Sequence, residues 1–378
     1  MDIDKKVIEI TIVSDKEIAS AILEELESIG IEYSNSIAGR RDLLQERKGL
    51  LKMLGTGKSI LHDPITIITF LVSSEMEQTI IKCIIEKGRL NMPGRGSVFS
   101  KDVTLIKAHE QCQENKIRNI ETKMIRLFSD LTGICCIAHR GDGDLLGKVG
   151  LETGGGIPAI TLGIGTGLRD KIGLWRVTIP AEKEIVNLVT TSHNVESVME
   201  MMIEIGALDQ PGKGFIYLYP IRMGSVDVKA YVGLSRQAAS IEQIVTVIDE
   251  IKGDTRWRRR EFSKYRSAGK KRKYLNELVN FTLICNEGRA TDLIKAAMAA
   301  GAGGATISKL NYRRTEKSES MEVSPAREIS EMIISENQIE TVVKALEERG
   351  AMDDNTHGQM FYSMVPKAYT YIKKNAPV

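Results

Sequence analysis

Apolar residues in the segment NVESVMEMMIEIG recur at the spacing of one helical face. They are Val195, Val198, Met199 and Met202, which stand at positions i, i+3, i+4 and i+7. An asparagine precedes the first of them as a candidate N-cap, and Gly206 follows the last turn as a stop signal. The pattern therefore predicts an amphipathic helix with a sequence signal at each end.

The same pattern occurs near both ends of the chain. Near the C-terminus, the segment QIETVVKALEERG repeats the four apolar positions and ends at Gly350. In the N-terminal third, EQTIIKCIIEKG keeps three of the four and ends at Gly88. Eight residues beyond each of these glycines, a second glycine opens an apolar strand; the second glycines are Gly96, Gly214 and Gly358. A helix, a turn of fixed length and a strand therefore recur three times.

Each copy also has three predicted elements upstream of this helix. A β-branched strand begins near Pro64, Trp175 and Ser324, and a strand followed by a helix comes before it. The order of the elements in each copy is β-α-β-β-α-β. This order is the ferredoxin-like arrangement, whose fold class is α/β (α+β). Two helices cover only one face of such a sheet. Three sheets on one chain could cover one another, which predicts a single-chain pseudo-trimer.

The repeats divide the chain into three modules. The first covers residues 1–112 and is the most degenerate copy. The second covers residues 116–255 and includes an extra C-terminal helix, predicted for the segment SIEQIVTVIDEIKG. The third covers residues 275–378, after a basic linker at residues 256–274.

The basic linker has ten lysines or arginines against one glutamate between Arg256 and Lys273, interleaved with Trp257, Phe262 and Tyr265. Basic residues with aromatic neighbours can neutralise phosphates and stack on bases, so a nucleic-acid contact is one interpretation. A solvated linker, or an intramolecular partner for acidic surface, is the other.

Bulk composition is that of an ordinary globular protein. The chain is 42% hydrophobic and 27% charged, and its net charge of +2 gives the whole molecule no strong field for nucleic acid or anionic lipid. No apolar run is long enough for membrane insertion, and the N-terminus lacks a secretory signal. The five cysteines have neither disulfide nor metal spacing. These features predict a reduced, cytoplasmic protein.

Motifs for catalysis or metal binding are weak. The segment GTGKS at residues 55–59 imitates the end of a P-loop, but Lys52 replaces the earlier glycine and Pro64 prevents a long helix. Asp142 and Asp144 could bind a metal, although a helix N-cap at Asp144 is the simpler interpretation. The five histidines lack metal spacing and no nucleophile–histidine arrangement is visible, so no enzyme activity is predicted.

Glycine-rich segments of the second module resemble a known family. The phrase GALDQPGKGFIYLYPIRMG resembles the glycine-rich turn and following strand of the PII (nitrogen regulatory protein P-II) signal-transduction proteins, which are homotrimers of β-α-β-β-α-β subunits. GGGIPAITLGIGTG is similar to that family's second strand and the entry to its mobile T-loop, and PAEKEI to the start of its third strand. AGAGGATI in the third module resembles the second strand again. The resemblance covers most of the three modules.

The resemblance implies a regulator that senses a small anionic ligand in the clefts between modules and signals to a protein partner through mobile loops. The ligand would be an adenine nucleotide such as ATP, ADP or AMP, and none is an obligatory cofactor. Lys183 matches a family lysine that reaches phosphate, and Thr306 a threonine near the adenine ring. The full set of candidate nucleotide-binding residues is Gly94, Arg95, Gly96, Gly165, Thr166, Lys183, Gly212, Lys213, Gly214, Arg222, Thr306 and Arg327.

Glycines in such turns can expose backbone N–H groups to phosphate without a Cβ in the way, or they can simply make tight helix-to-strand turns. The family's lysine after the second glycine is replaced by Ser97, Phe215 and Gln359. That lysine supplies a charge-assisted hydrogen bond to phosphate. We therefore expect fewer than three functional clefts. The alternative function is a structural or nucleic-acid-binding adaptor that has lost the ligand sites.

Overall fold

The computed structural model describes residues 5–46, 58–108, 124–166, 182–227, 231–232, 272–314 and 325–372. Several features predicted from the sequence lie outside these ranges. They are the P-loop-like segment up to residue 57, the glycine-rich loop from residue 167, the extra helix of the second module, and the basic linker up to residue 271.

Residues 5–108, termed unit 1, form a four-stranded antiparallel sheet with two helices. The elements are β1 (Lys5–Ser14), α1 (Lys16–Ser28), β2 (Tyr33–Glu46), β3 (Lys58–Val72), α2 (Glu77–Gly88) and β4 (Ser97–Ala108). The strands pair in the order β2-β3-β1-β4. Isoleucines of both helices pack with alternate residues of β1 into one core, which leaves the other face of the sheet to the rest of the chain.

Residues 131–227 form unit 2 and residues 278–372 form unit 3, with the same element order. Unit 2 contains β5 (Leu131–His139), α3 (Gly143–Thr153), β6 (Ala159–Thr166), β7 (Glu182–Thr191), α4 (Val195–Ile205), β8 (Gly214–Pro220) and β9 (Met223–Ser225). A short strand β10 (Tyr231–Val232) follows and pairs with β2. Unit 3 contains β11 (Leu278–Asn286), α5 (Ala290–Ala299), β12 (Ala305–Arg314), β13 (Ala326–Ser335), α6 (Ile339–Glu348), β14 (Gln359–Val365) and β15 (Lys367–Thr370).

The structure confirms the predicted repeat of helix, turn and strand. Helix α4 begins after Asn194 and is followed by Gly206, as the spacing predicted. Two of the second glycines are required by close approach of a neighbouring strand, because a Cβ at Gly96 would lie 2.2 Å from the carbonyl oxygen of Val13. At Gly214 the corresponding distance to the carbonyl oxygen of Ile137 is 2.5 Å.

The predicted N-cap at Asp144 is wrong. Helix α3 begins at Gly143, and the residue that precedes it is Asp142, whose side chain makes no capping hydrogen bond. Asp144 lies in the first helical turn, and its carboxylate accepts a hydrogen bond from Arg40 of unit 1. The backbone N–H groups of Gly141 and Gly143 donate to Glu184 instead. A carboxylate from the sheet therefore replaces the local cap.

Each unit extends its last strand onto the last strand of another unit. Strand β9 of unit 2 pairs with β4, β15 of unit 3 pairs with β8, and the end of β4 pairs with β14. The register is the same at two junctions, because Met223 lies opposite Ser100 and Lys367 lies opposite Leu218. Each of these pairs joins the residue nine positions after one unit's second glycine to the residue four positions after another unit's second glycine. The β4–β14 junction has the same register only beyond a bulge between Met360 and Phe361, where Lys107 lies opposite Met360.

The second strands of the three units also pair in a ring. Strand β12 pairs with β2 and with β6, and β6 pairs with β2. The start of β12 at Ala305 lies opposite Thr166 at the end of β6. The start of β6 at Ala159 lies opposite Arg41, late in β2. All the described strands therefore belong to one hydrogen-bonded network.

The inner faces of the three sheets pack together. One buried cluster contains Phe99 of unit 1, Tyr217 of unit 2 and Val365 of unit 3. A polar group lies among these side chains: Lys101 Nζ is 3.1 Å from Glu9 Oε2, and Asn280 Nδ2 donates to Tyr217 Oη at 3.2 Å. Among the described residues no helix is long and apolar enough to span a membrane.

Candidate functional site

Lys183, His139 and Gly212 meet at one end of unit 2. Lys183 and His139 are cross-strand partners at the start of β7 and the end of β5. His139 Nε2 donates to the carbonyl oxygen of Gly212 at 2.7 Å, which leaves Nδ1 as the acceptor for Lys183 Nζ at 3.2 Å. The histidine therefore connects a lysine of the sheet to the glycine-rich turn between α4 and β8.

Two lysines and one aspartate lie around His139. Burial lowers the pKa of His139, and the neighbouring Lys183 and Lys213 lower it further against the opposing effects of Gly212 and Asp142. The imidazole is accordingly neutral at pH 7, and the two lysines supply the charge. An anion placed here would meet the two ammonium groups and an imidazole that can gain a proton.

The cluster faces unit 3. Lys183 and Ile185 lie on the same face of β7, and Ile185 belongs to the buried cluster shared with unit 3. A Cβ at Gly163, the cross-strand partner of Lys183, would lie 2.8 Å from Thr306 Cγ2 and 3.2 Å from Ile185 Cδ1. Thr306 of unit 3 is therefore a neighbour of this end of β6 and β7.

Backbone and hydroxyl contacts close the boundary between units 2 and 3. Thr306 lies opposite Gly165, and Thr166 Oγ1 accepts a hydrogen bond from the backbone N–H of Ala305 at 3.2 Å. On the other side, Thr370 Oγ1 donates to the carbonyl oxygen of Gly214 at 2.8 Å. The sequence candidates brought together along this boundary are Gly165, Thr166, Lys183, Gly212, Lys213, Gly214 and Thr306.

Arg327 occupies the position of Lys183 in unit 3, because it pairs with the last residue of β11 as Lys183 pairs with the last residue of β5. Its side chain is only 1% exposed. It donates to the carbonyl oxygens of Ile284 and His357 and lies 5.2 Å from the ring centroid of Tyr312. These contacts make it part of the unit 3 interior. In unit 1 the same position is Thr66, which has no charge.

The remaining turn candidates lie between units 1 and 2. The backbone N–H of Gly94 donates to Asp227 Oδ1 at 2.9 Å, and the N–H of Asp227 donates to Ser97 Oγ at 2.8 Å. Arg95 Nε donates to the carbonyl oxygen of Gly88 at 3.2 Å. A carboxylate of the protein itself therefore occupies the turn that includes Gly96, where the sequence suggested a bound anion.

A small, open cleft adjoins this turn. It is lined from both units, by Arg41 and Gly96 of unit 1 and by Pro158 and Asp227 of unit 2 among others. Arg41 is already paired, at 2.6 Å with Asp63 and 3.6 Å with Asp227. The cleft has the expected position between units, but its arginine is neutralised by carboxylates.

Arg222 joins units 1 and 2. Its Nε lies 3.0 Å from Oε1 of the buried Glu77, and its NH1 lies 2.9 Å from Asp102 Oδ1. The structure thus separates Arg222 from the cluster around Lys183 and gives it an inter-unit ion pair.

Sequence reasoning missed His139 and Asp227. His139 ends the apolar run ICCIAH, and alternation places it on the same face as Cys135 and Ile137, which was the available signal. Asp227 gave no local signal, because only the pairing of β9 with β4 brings it to the turn of another unit.

No protein-family model matches the chain, and no curated protein matches it. One solved structure with detectable similarity is an aspartate kinase from Synechocystis, at 10% sequence identity and a TM-score of 0.21. The match covers 95% of this chain and 43% of that chain.

Proposed function

We propose that the protein is a non-enzymatic regulator that binds a small anion, such as the phosphate group of an adenine nucleotide, between units 2 and 3. The observation that carries the proposal is the cluster of Lys183, Lys213 and His139 at the turn containing Gly212. In this proposal the three units are ferredoxin-like modules of a single-chain pseudo-trimer related to the PII proteins.

The pseudo-trimer part of the proposal is supported by the inter-unit strand pairs. The junctions β9–β4 and β15–β8 share one register, β4–β14 has it beyond a bulge, and β2, β6 and β12 pair with one another in a ring. A head-to-tail contact that repeats three times closes a ring of three subunits. Here the three partners lie on one chain.

The anion-binding part is supported by charge and by backbone geometry. Gly212 has a φ of 74°, in the left-handed region that glycine adopts without a steric penalty. Charge-assisted hydrogen bonds from lysine are among the stronger polar contacts to phosphate. Lys183 is half-buried, so its charge is less screened than a surface charge while its ammonium group stays within reach of a ligand.

The proposal predicts one ligand for each chain. In the turn between units 1 and 2, Asp227 already accepts the hydrogen bond from Gly94. In unit 3, Arg327 is fully buried and bound to carbonyl oxygens. A ligand bound between units 2 and 3 would contact both units, and we propose that it signals to a protein partner through the loop that follows β6.

Thermal unfolding with a ligand panel tests the proposal. The panel is ATP, ADP, AMP, cyclic AMP and 2-oxoglutarate, with and without magnesium. A ligand at about a hundred times its dissociation constant adds about 2.7 kcal/mol to the stability of the native state. We expect a selective shift in Tm that Lys183→Gln reduces. Lys148→Gln, which removes a surface lysine paired with Glu152 on α3, serves as the matched control and should keep the shift.

A second candidate function is an adaptor for nucleic acid or protein. The observation in its favour is that the side chains of Arg222 and Arg327 both bind groups of the protein itself. A flat ligand panel, together with an RNA or DNA affinity that falls steeply with salt and is lost when residues 256–273 are neutralised, would favour this function.

A further inference from the structure

The side chains on the two faces of strand β2 make different contacts where the strand meets unit 2. Arg41 lines the cleft between units 1 and 2, while Arg40 and Asp42 point to the opposite face because side chains alternate along a strand. On that face Asp42 Oδ1 lies 2.8 Å from His62 Nδ1 of the adjacent strand β3. A carboxylate and an imidazole of unit 1 are thus held side by side on paired strands.

Unit 2 adds a second carboxylate to this pair. Asp144, in the first turn of α3, places its Oδ2 3.4 Å from His62 Nε2. One potential ligand atom from each of Asp42, His62 and Asp144 lies within 4.8 Å of the others. The three side chains come from two strands and a helix, so the backbone around them is regular.

Asp42 provides a second and independent sign of a missing partner. Its side chain is 0% exposed, and within the described part of the chain its Oδ2 has no hydrogen-bond donor. This oxygen faces α3, where it would lie 3.1 Å from a Cβ at Gly147, one turn beyond Asp144. A buried carboxylate oxygen without a partner is unfavourable, and a cation is one group that would satisfy it.

We propose that Asp42, His62 and Asp144 form a binding site for a divalent transition-metal ion, with Zn²⁺ as the best-suited common ion. One imidazole nitrogen and two carboxylate oxygens are ligands of this class, and three protein ligands leave a position for water. Magnesium is disfavoured because it prefers oxygen ligands alone. The ion would fasten unit 1 to α3 of unit 2. This proposal does not depend on the anion site between units 2 and 3.

Arg40 is the competitor for the site. Its guanidinium lies 3.4 Å from Asp42 Oδ1, contacts Asp144, and lies 3.0 Å from Glu184 Oε1. A bound metal ion would replace the first two contacts, whereas Glu184 would retain the arginine beside the site. Loss of the arginine charge should therefore strengthen metal binding, the opposite of what is expected if Arg40 merely supports the structure.

Titration calorimetry of the full chain with Zn²⁺ tests the site. We expect stoichiometric binding that His62→Ala and Asp144→Asn each weaken by about 100-fold or more, as expected when a metal loses a ligand. His193→Ala is the matched control, because His193 is also partly exposed and paired with one aspartate, Asp130, at 3.2 Å. Arg40→Met should bind Zn²⁺ more tightly than the wild type.

Two results would overturn the proposal. One is an unchanged Zn²⁺ affinity in both His62→Ala and Asp144→Asn, which would assign any binding to other residues. The other is weaker binding in Arg40→Met when its unfolding curve without metal matches that of the wild type. Both ligand variants change partly exposed side chains, so metal-free unfolding curves will establish that they fold.

Discussion

The turn between units 1 and 2 and the turn between units 2 and 3 have the same backbone plan and different charged side chains beside them. In both, a glycine (Gly96 or Gly214) stands eight residues after the glycine at the end of the helix and begins the passage into the next strand. The final strand of another unit pairs with that strand. The first turn binds the carboxylate of Asp227, and the second lies beside Lys183 and Lys213. Sequence divergence on one scaffold has therefore placed an aspartate at one turn and two lysines at the other.

This difference shows that glycines alone do not identify an anion site. Gly96 and Gly214 are both required by the carbonyl oxygen of a neighbouring strand, with or without a ligand. The charged side chains around the turn decide what it can bind.

Arg222→Met should destabilise the junction of units 1 and 2. It leaves the Glu77 carboxylate, which is 2% exposed, without its arginine, and breaking a buried pair in this way costs about 3 kcal/mol or more. Urea denaturation measures the loss. Arg140→Met is the control, since Arg140 and Glu182 are both more than half exposed and such a pair contributes little to stability. Equal stability of the two variants would refute the structural role assigned to Arg222.

Asp227→Ala should cost about 2 kcal/mol of the free energy of unfolding, because the N–H of Gly94 loses its acceptor. It also frees the turn between units 1 and 2 to accept an anion, so a weak second nucleotide site should become measurable by calorimetry. Asp292→Ala, which removes an exposed partner of Lys295, is the control. A wild-type unfolding curve for Asp227→Ala would show that the carboxylate is not needed in the turn.

His139→Gln should change how stability depends on pH. Because burial and the nearby lysines lower the pKa of His139 in the folded state, the unfolded chain takes up this proton first. The wild type should therefore lose stability as pH falls below about 6.5, the ordinary histidine value. His139→Gln should lose less over the same range, and His193→Gln is the control. An identical pH dependence in the wild type and His139→Gln would contradict the charge environment inferred for the site.

Repetition in the sequence predicted the fold better than it predicted the site. The spacing around Val195 and the paired glycines determine local geometry, and α4 and β8 form where the pattern placed them. The resemblance to PII directed attention to Lys183 and Gly212, which the structure places together through His139.

The remaining site residues depend on long-range pairing that no local pattern encodes. Asp227 reaches Gly94 only because β9 adds to β4, across more than a hundred residues. Arg327 matches Lys183 in register and in charge, yet burial under Tyr312 removes it from the surface. The sequence predicts that Asp144 caps its own helix, whereas its carboxylate pairs with Arg40 of unit 1.

Calorimetric titration of the wild type and Lys183→Gln, with the nucleotide that raises Tm most, measures whether Lys183 binds the ligand. We expect one site for each chain and an affinity that falls about 10- to 100-fold in Lys183→Gln, the effect of losing one charge-assisted hydrogen bond. Three equivalent sites, or an unchanged affinity in a Lys183→Gln protein that unfolds like the wild type, would contradict this expectation.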